Sequence, residues 1–299
     1  MKQYSKSVIL STVFFIPLIG CSQQQVDNDF IPKIETPLFE RGKGPLLLVD
    51  GGHHNFHTLD DKFAPFGKVA EMDGFSVRSI QGEIKTRELK EARTLVIANA
   101  LNEKNADSWQ QPVYPAFTPE EVKQISDWVW NGGRLLLIAD HMPFPGAAAD
   151  LAQSMGFTFY DGFALCRPKT KFDVFSYSNG MLQRNELTTL HGPIDSIVSF
   201  TGQAFNIPDS AVSVITFDSS YKVLLPEVAW EFSRDMKMMP AAGLSQLAYS
   251  RYGAGKVVVS GEAAMFTAQR AGDTRFGLNA PFAPNNVALL LNILEWLNE

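Results

Sequence analysis

Three short runs of uninterrupted apolar residues constrain this chain more than any other feature. They are Leu46-Leu47-Leu48-Val49, then Leu95-Val96-Ile97-Ala98 after Thr94, and Leu135 to Ala139 after Arg134. Each is too short for a packed helix and lacks the alternation of a strand with one wet face. Such runs are strands buried on both faces, the condition met in a parallel sheet covered by helices. Helical signals fall between them. A helix is expected from about Leu59 to Met72, ended by Gly74, and Ser76 to Ile80 follows as a further strand. Thr118-Pro119-Glu120-Glu121 reads as a capped helix start, with Thr118 and Glu121 as a capping box, and this helix runs to Trp130. Ala147 to Met155 is the next helix, closed by Gly156.

Beyond Phe157 the pattern loosens into short β-branched and aromatic runs, such as Ser196 to Phe200 and Ala211 to Phe217. Residues 157–240 therefore read as a β-rich elaboration. Leu244 to Tyr252, a Gly-Ala-Gly turn and Lys256 to Ser260 form a hairpin returning to the sheet, and Asn285 to Leu297 is a closing helix. The fold class is α/β: a doubly wound, mostly parallel sheet with a β-rich insertion. With 299 residues, 45% of them hydrophobic, the chain has the material for one large domain, and disorder is excluded. A net charge of −6 argues against a broad nucleic-acid surface.

The first residues read as an address. Lys2 and Lys6 precede an apolar stretch from Val8 to Leu18, shorter than the about 20 residues that a membrane span needs. It ends in Leu18-Ile19-Gly20-Cys21, which closely resembles the lipobox of bacterial lipoproteins. The resemblance implies a signal peptide over 1–20 and acylation of Cys21, palmitate included, which anchors the chain in a membrane. Ser22 after the cysteine implies an outer-membrane, periplasm-facing lipoprotein. Loss of Lys2 and Lys6 takes the net charge from −6 to −8, so the anchor, not a basic patch, would hold the protein at a lipid surface. Residues 21–44, polar and carrying Pro32 and Pro37, read as a tether to a domain over 45–299. Cys166, the remaining thiol, is expected to be buried and inert.

The stretches Leu46 to His57, Thr94 to Asn99, Thr118 to His141 and Tyr252 to Phe266, with the closing helix, resemble the class I glutamine amidotransferase-like superfamily. More closely, they resemble a branch of envelope domains of unknown function. The chain departs from the enzymes of that superfamily. Their nucleophile elbow is replaced by Ile138-Ala139-Asp140-His141-Met142-Pro143, and their late His-x-Glu pair by Ser260-Gly261-Glu262. Glutaminase chemistry by a Cys-His pair is therefore not expected.

In open α/β sheets, ligands bind beyond the carboxyl ends of the strands. Here those ends carry Asp50, His53, His54 and His57, then Asn99, then Asp140 and His141, then Glu262, so four of the five histidines fall on one rim. Two uses are open. Asp50, Asn99, Asp140 and Glu262 can accept hydrogen bonds from a small polar ligand, a glycan or an envelope partner, with a histidine as acid, base or donor. Alternatively, His54, His57, Asp140 and His141 hold a divalent metal that activates water in a hydrolase, although no metal motif is matched. Apart from that metal, no cofactor is expected.

Overall fold

The computed structural model describes residues 24–299 apart from Lys169. The expected signal peptide and Cys21 lie outside the described residues. The central sheet is built from β1 (Leu46–Asp50), β2 (Ser76–Ile80), β3 (Thr94–Ala98), β4 (Arg134–Ile138), β5 (Ser245–Tyr252) and β6 (Gly255–Ser260). Their order is β2-β1-β3-β4-β6-β5, continued outward by Phe205–Asn206 and Thr158–Phe159, with Ala211–Thr216 also paired to β5. β2, β1, β3, β4 and β6 run parallel, and β5 returns antiparallel to β6. The result is a mixed α/β structure with a mostly parallel sheet and extra strands.

Period-two geometry sends alternate residues of each strand to opposite faces. Leu47, Val49, Leu136 and Ile138 pack with residues of α1 (Ala64–Met72) and α4 (Asn286–Asn298). Leu48, Leu95, Leu135 and Leu137 pack with α2 (Pro119–Trp130) and α3 (Phe144–Ser154). Both faces are thus covered, as the continuous apolar runs require. α1 begins at Ala64 instead of Leu59 because Thr58–Phe63 forms turns, and α3 begins at Phe144, three residues before the expected start. The capping box of α2 is present: Glu121 N–H donates to Thr118 Oγ1 (3.2 Å) and Glu121 Oε2 accepts from Thr118 N–H (3.0 Å).

Region 157–240 adds two small sheets. One joins Phe163–Cys166, Tyr221–Leu225 and Lys237–Pro240, and the other joins Asp173–Ser176 and Ser196–Ser199. Cys166 is partly exposed there, not buried as expected, because it ends the strand at the sheet margin. Residues 24–44 also differ from a free tether. Gln25–Val26 pairs antiparallel with Ala268–Ala271, the Asp27 carboxylate meets the Arg270 guanidinium at 2.9 Å, and Phe39 packs edge-on against Phe75. Polar composition suggested a spacer, but long-range pairing holds this stretch on the body. Among the described residues, no helix is long and apolar enough to cross a membrane.

Candidate functional site

The loop after β1 carries three histidines, and the structure gives each a different fate. His53 is buried and fully engaged. Its Nδ1 meets Asp50 at 2.9 and 3.0 Å, and its Nε2 meets Glu121 Oε1 at 3.0 Å. Burial opposes charging this ring, but the Asp50 and Glu121 carboxylates outweigh it and hold its pKa above the ordinary value. Glu121 is equally spent: beyond the capping contacts, its Oε1 accepts from Ile84 N–H at 3.0 Å. Asp50 also accepts from Asn55 Nδ2 and Gly52 N–H. Asp50 and His53, expected at a ligand site, instead lock the loop to α2. His54 is exposed with a left-handed backbone (φ 43°) and does not line the rim cavity.

The remaining candidates converge. His57, Asp140, His141 and Glu262 line a cavity of about 150 Å3 at the carboxyl ends of the strands. Asn99 stands behind it. Its backbone is left-handed (φ 50°), which asparagine tolerates better than most residues. Its Oδ1 accepts from Asp140 N–H at 2.9 Å, so its amide nitrogen faces His57 Nδ1, also at 2.9 Å. That donor obliges His57 Nδ1 to accept and places the ring proton on Nε2. His141 has the opposite tautomer, because its Nδ1 donates to the Met142 carbonyl at 2.8 Å and leaves the Nε2 lone pair free. Burial pushes both rings down, His57 further by the charges of Lys62 and His141, to about 3 for His57 and about 4 for His141. Both are neutral at physiological pH.

The two carboxyls are shifted the other way. Burial raises Asp140 to about 7 against the N–H groups of His141 and Ala263 and the Asn99 amide. Burial also raises Glu262 well above the usual range, and the neighbouring Asp140 charge adds to it. Two carboxyls buried beside each other both lean towards the protonated form, by loss of hydration and, for Glu262, by the Asp140 charge. Glu262 is held by Ala264 N–H (2.9 Å) and Met265 N–H (2.8 Å).

Metal binding requires ligands with a free lone pair, and a ligating histidine normally donates its other N–H to an acceptor. His141 meets that condition. His57 does not, since Asn99 claims its Nδ1 and Nε2 carries the proton. With His54 exposed and outside the cavity lining, the expected His54, His57, Asp140 and His141 set is not brought together. Among the described residues, no group of three or more His, Cys, Asp or Glu side chains is disposed to hold a metal ion.

Other lining residues had no sequence signal as a group: Lys62, Phe200, Thr201, Trp230, Gln269 and Phe276. Gln203 N–H bonds the Gly261 carbonyl (2.8 Å) and Gln203 Nε2 bonds the Ala139 carbonyl (3.0 Å), stitching the 200–203 loop to the rim. Glycine is needed for that approach, because a Cβ on Gly202 would stand 2.1 Å from the Gly261 carbonyl oxygen. Phe56 contacts Trp109 and Phe144 but remains 40% exposed at the mouth. A larger groove of about 530 Å3 along Leu165, Leu224 and Met236 holds no buried titratable group.

No protein-family model matches the chain, and no curated protein matches it by sequence. Among solved structures it is similar to the mmIFT52 N-terminal domain, at 14% identity and a TM-score of 0.62, covering 85% of this chain and 97% of that one. That likeness shows a shared fold. Two further similar structures are a ThuA-like protein from Bacteroides uniformis and a GMP synthase component from Thermoplasma acidophilum. The first has 12% identity and a TM-score of 0.46, covering 89% of this chain and 94% of that one. The second has 10% identity and a TM-score of 0.45, covering 85% and 94%.

Proposed function

We propose that this chain is a lipid-anchored envelope protein whose amidotransferase-like domain binds a small, neutral, hydroxyl-bearing ligand in the rim pocket, without glutaminase activity. The observation that carries the reading is the fixed polarity of the pocket. His57 offers a donor, His141 an acceptor, and the Asp140 and Glu262 carboxyls, whose burial favours the protonated form, offer both. Hydroxyl groups, which both donate and accept, match that pattern. The cavity is smaller than the roughly 300–1,000 Å3 of drug-sized sites, which favours a ligand of one ring or less.

The sheet order supports a doubly wound, flavodoxin-like arrangement: the five parallel strands, counted along the chain, are ordered 2-1-3-4-5. Cys166, on an outlying strand far in sequence from Asp140, supports the absence of a glutaminase nucleophile. A metal-dependent hydrolase draws less support because the donor set is wrong.

The test is calorimetric titration of protein lacking residues 1–21 with neutral monosaccharides and polyols, and with acetate and phosphate as anionic controls. The expected result is binding of a neutral polyol that His141→Ala weakens at least tenfold. Preference for the anions, or indifference to His141→Ala, overturns the assignment. The anchor is tested separately in the bacterial cell, where Cys21→Ser should move the protein from the membrane fraction to the soluble one.

A further inference from the structure

Trp230 is out of place by two physical criteria. Its backbone is left-handed at φ 70°, a conformation that costs a bulky side chain free energy and persists only where the surroundings impose it. It is also 46% exposed, although an indole gains most by burial. Yet the ring is fixed in position, edge-to-face with His141 at 4.6 Å and with Phe163 at 4.8 Å. One part of it walls the pocket and the rest faces solvent. Phe232, 39% exposed and 6.4 Å from Trp230, continues the apolar strip away from the mouth.

A second reason to look for a ligand here is Gln269. It lines the same pocket, is 2% exposed and donates from Nε2 to Thr267 Oγ1, while its Oε1 has no partner. A buried acceptor without a donor is costly, and a ligand hydroxyl would satisfy it.

The geometry points to an oligosaccharide end as the ligand, with the terminal sugar in the pocket and the next sugar stacked on the exposed face of Trp230. This rests on the pocket reading above. Sugars present an apolar C–H face as well as hydroxyls, so a flat ring beside a polar cavity suits two consecutive units. Trp230 is then a specificity residue for chain length.

The experiment titrates the protein lacking residues 1–21 with glucose, maltose and cellobiose, and with N-acetylglucosamine and its β-1,4-linked dimer. Calorimetry and tryptophan fluorescence are the readouts. At least one disaccharide should bind about tenfold more tightly than its monosaccharide, the scale of one aromatic contact. Trp230→Ala should erase that increment, so that disaccharide affinity falls by a clearly larger factor than monosaccharide affinity, and Trp230→Phe should keep most of it. Circular dichroism of both variants checks the fold, and the phenylalanine variant carries the test if the alanine variant unfolds. No gain from the second sugar, or equal weakening of mono- and disaccharide by the substitution, overturns the platform. Failure of every sugar to bind overturns both readings. Monosaccharide binding that ignores His141→Ala overturns the pocket alone and leaves the increment to judge Trp230.

Discussion

Two clusters on the strand rim are made of the same residue types and behave in opposite ways. Asp50, His53 and Glu121 form one; His57, His141, Asp140 and Glu262 form the other. In the first, both nitrogens of the ring are taken by carboxylates, Glu121 has given its oxygens to Thr118, Ile84 and His53, and the two carboxylates hold the imidazole pKa above its ordinary value. In the second, each ring has one nitrogen committed to the protein and one left over, and both rings are held neutral. Composition does not distinguish a structural clamp from a site. Unspent hydrogen-bonding capacity does.

The comparison predicts a large effect first. His53→Ala leaves two buried carboxylates facing each other and should cost about 3 kcal/mol of stability in urea unfolding, with ligand affinity kept wherever the variant is folded. A loss below about 1 kcal/mol would mean that the clamp is not structural. Asn99→Ala removes both the acceptor for Asp140 N–H and the group that sets the His57 tautomer. It should cost about 2 kcal/mol and also weaken binding, unlike His53→Ala. Unchanged affinity would show that the tautomer is irrelevant.

The pH dependence separates the clusters next. The depressed His57 and His141 contribute stability that is lost as pH falls from about 6.5 towards 4, because the unfolded rings take up protons first. The raised Asp140 acts oppositely, its contribution falling as pH rises from about 4 to 7. The raised Glu262, Asp73 and Asp161 carboxyls slope the same way as Asp140, so the cleanest readout is a difference between proteins. Asp140→Asn removes one falling contribution, and between pH 4 and 6.5 its stability should rise with pH relative to the unsubstituted protein. Parallel profiles for the two proteins would deny the shift. The smallest effect belongs to His54→Ala, which should change stability by no more than about 0.5 kcal/mol and leave ligand affinity untouched.

Much of the fold was legible because strands buried on both faces carry uninterrupted apolar runs, and because Thr118 and Glu121 announce a helix start locally. The site was legible in part. His57, Asp140, His141 and Glu262 could be placed on a rim because parallel strands end on one side, but nothing local distinguished His53 from His57. That distinction lies in a contact with Glu121, 68 residues away, which also serves the α2 cap. Trp230 and Gln269 were hidden for a related reason: they come from irregular or edge segments whose position depends on long-range pairing. Their polarity and spacing carry no period.

The short strand Gln25–Val26 has a bearing on where the pocket works. It clamps the chain to Ala268–Ala271, with Val26 paired to Gln269, and Gln24 itself lines the cavity. An extended chain gains at most about 3.6 Å per residue, so Gln24 lies within roughly 11 Å of Cys21 along the backbone. Should Cys21 carry the acyl chains proposed above, the cavity would graze the headgroup layer instead of swinging on a long leash. Its ligands would then be met in two dimensions, among molecules presented at the bilayer surface.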